Sequence, residues 1–251
     1  MAETLKLAII DLSSSDSIST AKSIRQACIE CGFFYLVNHG VEEELLLRVF
    51  DESQKFFSLP LEEKMKLATK HHRGYTPMYA ENLDYSSSSR GDSKESFYIG
   101  SLEAGRSYLN RWPSEEILPS WRPTMESYHK KLLLGAKSGF ICLDNIVNNV
   151  YKVLLLKDGK YGQTQSVGKK LISLIAQALD LDADFFEKVG ALDDPMPFLR
   201  LLHYPGDLEF CGEETYGASA HSDYGMVTLL ATNGVPGLQA CLMLTNQDPQ
   251  L

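Results

Sequence analysis

The chain has 251 residues, of which 44% are hydrophobic and 23% charged, the proportions of an ordinary globular protein. This length fits one sizeable domain, or one domain with a helical annex. The formal net charge of -9 argues against a nucleic-acid-binding surface, and no apolar run is long enough to span a membrane.

The N-terminal residues and the cysteines bear on the cellular compartment of the protein and not on its reaction. Residues 1–6 have neither the basic nor the apolar region of a signal peptide. The five cysteines are odd in number and scattered, and the CxxC pair Cys28 and Cys31 has no second pair or nearby histidine to complete a zinc site. We expect these two to be buried thiols. Together these features predict a reduced, cytoplasmic monomer with no nucleic-acid or membrane partner.

Short strands and helices alternate at the start of the chain. An apolar run over residues 7–12 predicts a buried strand, and helical spacing from Ile18 to Cys31 predicts a helix that ends at Gly32. The aromatic and β-branched residues 33–37 predict a second strand. His39 lies in the following turn, where we expect it to bond the backbone rather than a metal.

Helices dominate the next part of the chain. A long helix from Leu45 to Phe57 is followed by a short one over residues 62–65. The Ser-rich stretch 84–93 predicts a flexible loop, and residues 94–100 predict a strand. Further helices are predicted over 118–131 and 167–179 and from residue 182.

The segment from about 133 to 165 has no clean period. It contains apolar patches that are broken by glycines at 135, 139, 159 and 162. We assign it no secondary structure.

From Pro197 the pattern changes to strands. Strands are predicted over residues 198–204, 226–230 and 238–244, with a loop over 207–216 and a turn at 233–237. Helices followed by consecutive short strands predict an α+β fold.

His221-Ser222-Asp223 is the most informative motif. A histidine and an aspartate two apart on a strand share a face and can offer an imidazole nitrogen and a carboxylate oxygen to one metal ion. This is two-thirds of the 2-His-1-carboxylate triad of non-haem Fe(II) oxygenases.

In this context the chain resembles the plant-type 2-oxoglutarate- and Fe(II)-dependent dioxygenases, the isopenicillin N synthase-like group. The similarity follows the family's order over nearly the whole chain. It is carried by residues 31–40, 56–60 with 62–64, 73–75, 200–205, 221–225, 228–230 and 234–239.

The resemblance implies a double-stranded β-helix (jelly-roll) core, incomplete at the carboxyl terminus, with an N-terminal helical region. It implies that His221 and Asp223 bind Fe(II) and that Tyr204 binds 2-oxoglutarate, with O2 as the oxidant and ascorbate as a further cofactor. The substrate would be a small specialised metabolite or hormone that is hydroxylated or desaturated. Leu202 stands where the family often has asparagine.

Arg200 has two interpretations. It lies four residues before Tyr204, so both side chains lie on the same face of an unbroken strand. Arg200 then either faces the cavity and binds substrate or co-substrate, or forms a salt bridge to a carboxylate in the sheet.

The chain departs from the family pattern in two places. No histidine follows His221 and no Arg-x-Ser follows it, and the segment 133–165 resembles an insertion. We therefore predict three regions: an N-terminal non-haem dioxygenase region over 1–115, a helical segment with that insertion over 116–196, and a partial Fe(II)/2-oxoglutarate dioxygenase domain over 197–251. We also expect a truncated form with impaired activity.

Three alternatives remain open from the sequence. The chain can be a non-catalytic truncated homologue, a zinc hydrolase that uses the HxD pair, or an oxidase that does not use 2-oxoglutarate. The absence of other histidines around His221 argues against zinc, and Tyr204 argues against the oxidase. His203 and His129 are weak candidates for a third iron ligand, because His203 lies on the strand face opposite Tyr204 and His129 lies on a helix.

Overall fold

The structure is a computed structural model, and its described part contains six helices and eight strands. It describes residues 7–30, 32–82, 91–102, 109–133, 141–147, 153–155, 167–191, 198–206, 217–219, 221 and 227–235, with the backbone alone at 133, 141–147 and 153–155. The helices are α1 (Ser17–Glu30), α2 (Glu43–Phe57), α3 (Leu61–Met65), α4 (Trp121–Leu133), α5 (Val167–Ala178) and α6 (Phe185–Lys188). The strands are β1 (Ala8–Asp11), β2 (Phe34–Val37), β3 (Gly74–Thr76), β4 (Glu95–Ile99), β5 (Ile141–Val147), β6 (Val153–Leu155), β7 (Phe198–His203) and β8 (Val227–Thr232).

Helix α2 shows why the spacing of apolar residues is informative. Its buried apolar side chains recur at helical spacing, which gives the helix one face for the core. Glutamates in the first turn and Lys55 in the last turn complement the helix dipole. None of the helices in the described ranges is long and apolar enough to cross a membrane.

The strands form one mixed sheet in the order β1-β2-β6-β8-β5-β7-β4-β3. β4 pairs antiparallel with β3 and β7, whereas the other neighbouring strands that the structure describes run parallel. Helix α1 packs against α5, and α2 packs against α4. This combination confirms the α+β class predicted from the sequence.

Strands β5 and β6 come from the segment that we predicted to be an insertion. β5 lies between β7 and β8, and β6 lies between β2 and β8. Neither strand was expected from the sequence, because the segment has no strand periodicity. The domain boundaries and the insertion stay predictions.

A cluster of aromatic rings joins the helices to the sheet. The ring centroids of Phe56 and Phe97 are 4.8 Å apart, and those of Phe97 and Trp121 are 4.9 Å apart, both in edge-to-face geometry. Such pairs contribute about 0.5–1.5 kcal/mol beyond the area they bury. The cluster therefore fixes α2 and α4 against β4.

Two local expectations were wrong. Cys28 is exposed on α1 rather than buried, although its helical position is close to the face formed by Ala21, Ile24 and Ala27; residues 28–30, at the end of the helix, are all exposed. Asp92 and Ser93, which we placed in a flexible loop, are each only 3% exposed. Residues 83–90 of that stretch lie outside the described part. The strand predicted over 238–244 also lies outside it.

A buried carboxylate ties helix α3 to the sheet. Glu95 of β4 accepts hydrogen bonds from Lys64 Nζ at 2.8 Å, from the Tyr75 hydroxyl and from His203 Nδ1 at 2.8 Å. Burial raises the pKa of Glu95, but the three hydrogen bonds outweigh it and leave the pKa below its ordinary value. Lys64 Nζ also donates to the Phe57 carbonyl at 2.9 Å. The cluster thus joins α2, α3, β3, β4 and β7.

Replacement of Lys64 by alanine should lower the free energy of unfolding by about 3–5 kcal/mol, because it leaves Glu95 buried without its cation. Lys66→Ala is the control, since Lys66 forms an exposed pair with Glu63 at 2.6 Å and should cost less than about 1 kcal/mol. Urea denaturation of the three proteins measures both values. Equal losses in the two variants would contradict the role of the buried cluster.

Candidate active site

Strand β7 presents different side chains on its two faces. Leu199 and Leu201 are buried in the main hydrophobic core. Leu202 belongs to a separate small cluster with Leu230 of β8 and Tyr204, the residue after β7. We call the side of the sheet that carries Arg200, Leu202 and Tyr204 the site face.

Arg200 lies on the site face in an ion pair. Its guanidinium bonds Glu81 and lies 4.6 Å from the centroid of the Tyr98 ring. The Tyr98 hydroxyl donates to the same carboxylate at 3.2 Å. The salt bridge that we considered as one interpretation of Arg200 is therefore present, and contact with substrate or co-substrate stays a prediction.

Two further charges extend this ion pair. Lys94 Nζ lies 3.4 Å from Glu81 Oε2 and 2.5 Å from Asp92 Oδ2. Burial raises the pKa of Glu81, but the charges of Arg200 and Lys94 outweigh it and leave the pKa below its ordinary value. Arg200, Glu81, Lys94 and Asp92 thus form a row of alternating charge, which we call the charge row. Its formal charges cancel.

Tyr204 is packed against a glycine of the segment that carries His221. A Cβ atom at Gly217 would lie 2.6 Å from Cδ1 of Tyr204, closer than side chains tolerate. Glycine at this position therefore allows the backbone to approach the ring. Gly217, four residues before His221, thus lies directly against the tyrosine that the resemblance assigns to 2-oxoglutarate.

The imidazole of His221 has a defined tautomer. Its Nδ1 lies 2.7 Å from the backbone carbonyl oxygen of Ser219. Because a carbonyl only accepts, Nδ1 must carry the proton, and the lone pair of the neutral ring is on Nε2. This arrangement is typical of metal-binding histidines, which donate the other ring N–H to a carbonyl or carboxylate.

The donors that are described fit an iron site in part. The imidazole Nε2 of His221 is a suitable ligand for Fe(II), whereas Asp223 lies outside the described residues. Over the described ranges no group of three or more His, Cys, Asp or Glu side chains is arranged to hold a metal ion. His203 bonds Glu95 and stacks on Phe57 on the core side of β7, as the strand alternation predicts. His129 is buried on α4.

The sequence did not reveal the charge row, nor the hydrogen bonds that the backbone N–H and hydroxyl of Ser219 donate to Asp92. Asp92 and Lys94 precede β4 and are two residues apart, the spacing of side chains that share one face of a strand. In the sequence this spacing cannot be distinguished from that of charged residues in a polar loop. Glu81 and Ser219 gave no signal, because each pairs with a residue that only the fold brings near.

A family model described as non-haem dioxygenase in morphine synthesis N-terminal matches residues 7–115. The chain is 32% identical over 248 residues to azadirone synthase LFS of Melia azedarach, with 94% of this chain and 64% of that protein covered. It is 32% identical over 255 residues to kihadalactone A synthase LFS of Citrus sinensis, with 98% and 66% covered. The chain therefore spans just under two thirds of the length of these curated relatives.

The fold is similar to that of solved structures. A 2OG-Fe(II) oxygenase family protein of Caulobacter crescentus superposes with a TM-score of 0.58 at 22% identity, covering 83% of this chain and 59% of that chain. At this identity the likeness shows the fold alone.

Loss of the Arg200 side chain should be costly because the charge row is poorly solvated. Arg200→Met removes one of the two cations that contact Glu81, and we expect a loss of about 3 kcal/mol in the free energy of unfolding. Arg122→Met is a matched control, because Arg122 pairs with Glu126 at 3.0 Å and lies 5.0 Å from the Trp112 ring on an exposed helix surface. It should lose less than about 1 kcal/mol. Chemical denaturation distinguishes the two, and a similar loss in both would show that burial is irrelevant here.

The lowered pKa values of Glu81 and Glu95 predict acid sensitivity. A carboxyl whose pKa is lower in the folded than in the unfolded state stabilises the fold above the unfolded value, about 4.3 for glutamate, and this contribution is lost as the pH falls through the folded value. The melting temperature should therefore drop as the pH is lowered from 6 toward 3. Glu95→Gln should be less stable at pH 6 and show a shallower drop. Glu44→Gln, at an exposed glutamate 4.0 Å from Arg48, should follow the wild type. A steeper acid drop in Glu95→Gln than in the wild type would refute the sign of the Glu95 contribution.

Proposed function

We propose that the chain is a 2-oxoglutarate/Fe(II) dioxygenase and that its site oxidises a small specialised metabolite or hormone by hydroxylation or desaturation. The similarity to the family model and to the two synthases supports this proposal. The cofactors are Fe(II), 2-oxoglutarate and O2, with ascorbate as an accessory reductant. We propose a double-stranded β-helix as the fold that supports this chemistry. The relatives named above carry the names azadirone synthase and kihadalactone A synthase, which supports a small-molecule substrate.

The observation that carries the proposal is the packing of Gly217, four residues before His221, against Tyr204. Two residues that the motifs assign to one reaction, His221 for the metal ion and Tyr204 for 2-oxoglutarate, come from separate parts of the chain. Gly217 brings their segments into contact.

The roles of the residues follow from their chemistry. His221 and Asp223 hold Fe(II), with the imidazole contributing its Nε2 lone pair. Tyr204 binds a carboxylate oxygen of 2-oxoglutarate through its hydroxyl, and its ring is held between Gly217 and the Leu202–Leu230 cluster. Bound Fe(II) supplies the oxidising chemistry with 2-oxoglutarate and O2, and the protein orients the reactants and excludes water.

Arg200 lies on this face without binding 2-oxoglutarate as its main partner. Its guanidinium is already engaged by Glu81 and by the Tyr98 ring. We assign it to the wall of the substrate pocket, beside the Tyr98 ring. An aromatic ring in this wall favours a substrate with an apolar ring or chain.

The test of the function is anaerobic addition of Fe(II) and 2-oxoglutarate to the chain, followed by absorption spectroscopy. A metal-to-ligand charge-transfer band should form in the wild type and be lost in His221→Ala. Conversion of 2-oxoglutarate to succinate in air measures turnover. A wild-type chain that forms no band would identify a non-catalytic homologue and overturn the proposal.

Gly217→Ala should weaken 2-oxoglutarate binding, because the new methyl group displaces the Tyr204 ring or the segment that carries His221. We expect the dissociation constant to rise about tenfold, which corresponds to about 1.4 kcal/mol. Gly206→Ala is the control, since it follows Tyr204 by two residues and a Cβ added there would meet no atom of the described part within 4 Å. Titration of the charge-transfer band with 2-oxoglutarate gives both constants, and equal constants for Gly217→Ala and the wild type would argue against Tyr204 as the binding residue.

A further inference from the structure

A chain of hydrogen bonds connects His221 to the interior of the sheet. The Nδ1 of His221 donates to the carbonyl oxygen of Ser219 at 2.7 Å. Ser219 in turn donates both its backbone N–H and its hydroxyl to Asp92 Oδ1, each at 3.3 Å. Asp92 and Ser219 are 127 residues apart in sequence. The contact therefore joins the His221 segment to the residues that lead into β4.

Asp92 is itself held firmly. The residue is 3% exposed, and its Oδ2 lies 2.5 Å from Nζ of Lys94, whose side chain is 2% exposed. The backbone N–H of Asp92 donates to the Glu81 carbonyl at 2.6 Å. The two oxygens of one carboxylate thus have separate tasks, since Oδ2 pairs with the buried ammonium group and Oδ1 faces Ser219.

The hydrogen bonds at 3.3 Å are longer than the usual range, but a charged acceptor strengthens each of them. Two hydrogen bonds from the same residue also restrict its position more than a single bond would. Together they hold Ser219 in the position from which its carbonyl oxygen lies 2.7 Å from Nδ1 of His221. The carbonyl direction in turn decides whether the Nδ1–H of His221 finds an acceptor.

We propose that Asp92 is a positioning residue for His221, acting through Ser219. It holds the Ser219 carbonyl where it accepts the Nδ1–H of His221, which fixes the ring tautomer with the lone pair on Nε2 for the metal ion. This role rests on the proposed function, because it matters only if His221 binds a metal ion. The hydrogen bonds themselves do not depend on that function. Lys94 supports it by neutralising the Asp92 carboxylate.

The tautomer is measured without any metal. In the ¹⁵N-histidine NMR spectrum of the metal-free wild type at pH 8, His221 should be protonated at Nδ1, with the resonance assigned from its loss in His221→Ala. Asp92→Asn should move His221 to a mixture of tautomers, because the acceptor is no longer held. Glu52→Gln is the control, since Glu52 is another buried carboxylate with a lysine partner, Lys55 at 2.8 Å, and it should leave the His221 resonances unchanged.

Ser219 provides a milder perturbation in case Asp92→Asn destabilises the fold. Ser219→Ala removes the hydroxyl but keeps the backbone N–H, whereas Ser219→Thr keeps both donors. We expect the dissociation constant for Mn²⁺, measured by calorimetry, to rise about tenfold in Ser219→Ala, as for other residues that support metal ligands. Ser219→Thr should restore wild-type affinity. Ser173→Ala, which removes a hydroxyl bonded to the Ala183 carbonyl at 2.9 Å, should have no effect.

The two proposals fail in different ways. A wild type that binds no Mn²⁺, with a tautomer that still depends on Asp92, would refute the proposed function and keep the hydrogen-bond chain. A wild type that binds Mn²⁺, with tautomer and affinity unchanged in Asp92→Asn and Ser219→Ala, would refute the positioning role and keep the function.

Discussion

The fold depends on two adjacent charges at the start of β4 that point to opposite faces of the sheet. Lys94 and Glu95 are both buried, with residue exposures of 3% and 5%. A buried charge costs several kcal/mol unless it is paired and hydrogen-bonded. Each of the two therefore requires partners from elsewhere in the chain. On the core side, Glu95 accepts hydrogen bonds from Lys64, Tyr75 and His203. On the site face, Lys94 forms ion pairs with Asp92 and Glu81.

These requirements also fix the register of β4 against β7. Glu95 lies opposite His203, and in the same register Tyr98 lies opposite Arg200. A slip of one residue would turn every side chain of the strand to the other face. Glu95 would then lose its three donors, and the Arg200 guanidinium would lose the Tyr98 ring and the carboxylate beside it. The cluster around Glu95 and the charge row thus both depend on the pairing of β4 with β7. A shifted register would disrupt both.

The parts that the sequence predicted are those with local causes. Helices α1, α2 and α5 follow from apolar spacing along a single segment, and β2, β4 and β7 follow from runs of aromatic and branched residues. β5 and β6 could not be predicted, because they take their place from β7, β8 and β2 rather than from a pattern of their own. His221, Tyr204 and Arg200 could be selected from motif and spacing. Glu81 and Ser219 could not, since each is defined by a partner more than 100 residues away.

The segment that carries His221 has no strand or helix at its described positions, 217–219 and 221. A ligand on such a segment is held less precisely than one on a regular element, so its geometry must come from neighbouring side chains. Two contacts close to His221 in sequence provide this geometry. Gly217 packs against Tyr204, the residue that follows β7, and Ser219 donates hydrogen bonds to Asp92, which precedes β4. β7 and β4 are paired neighbours in the sheet. The position of His221 is therefore set by a strand pair whose register is fixed by buried charges, although the residue itself belongs to neither strand.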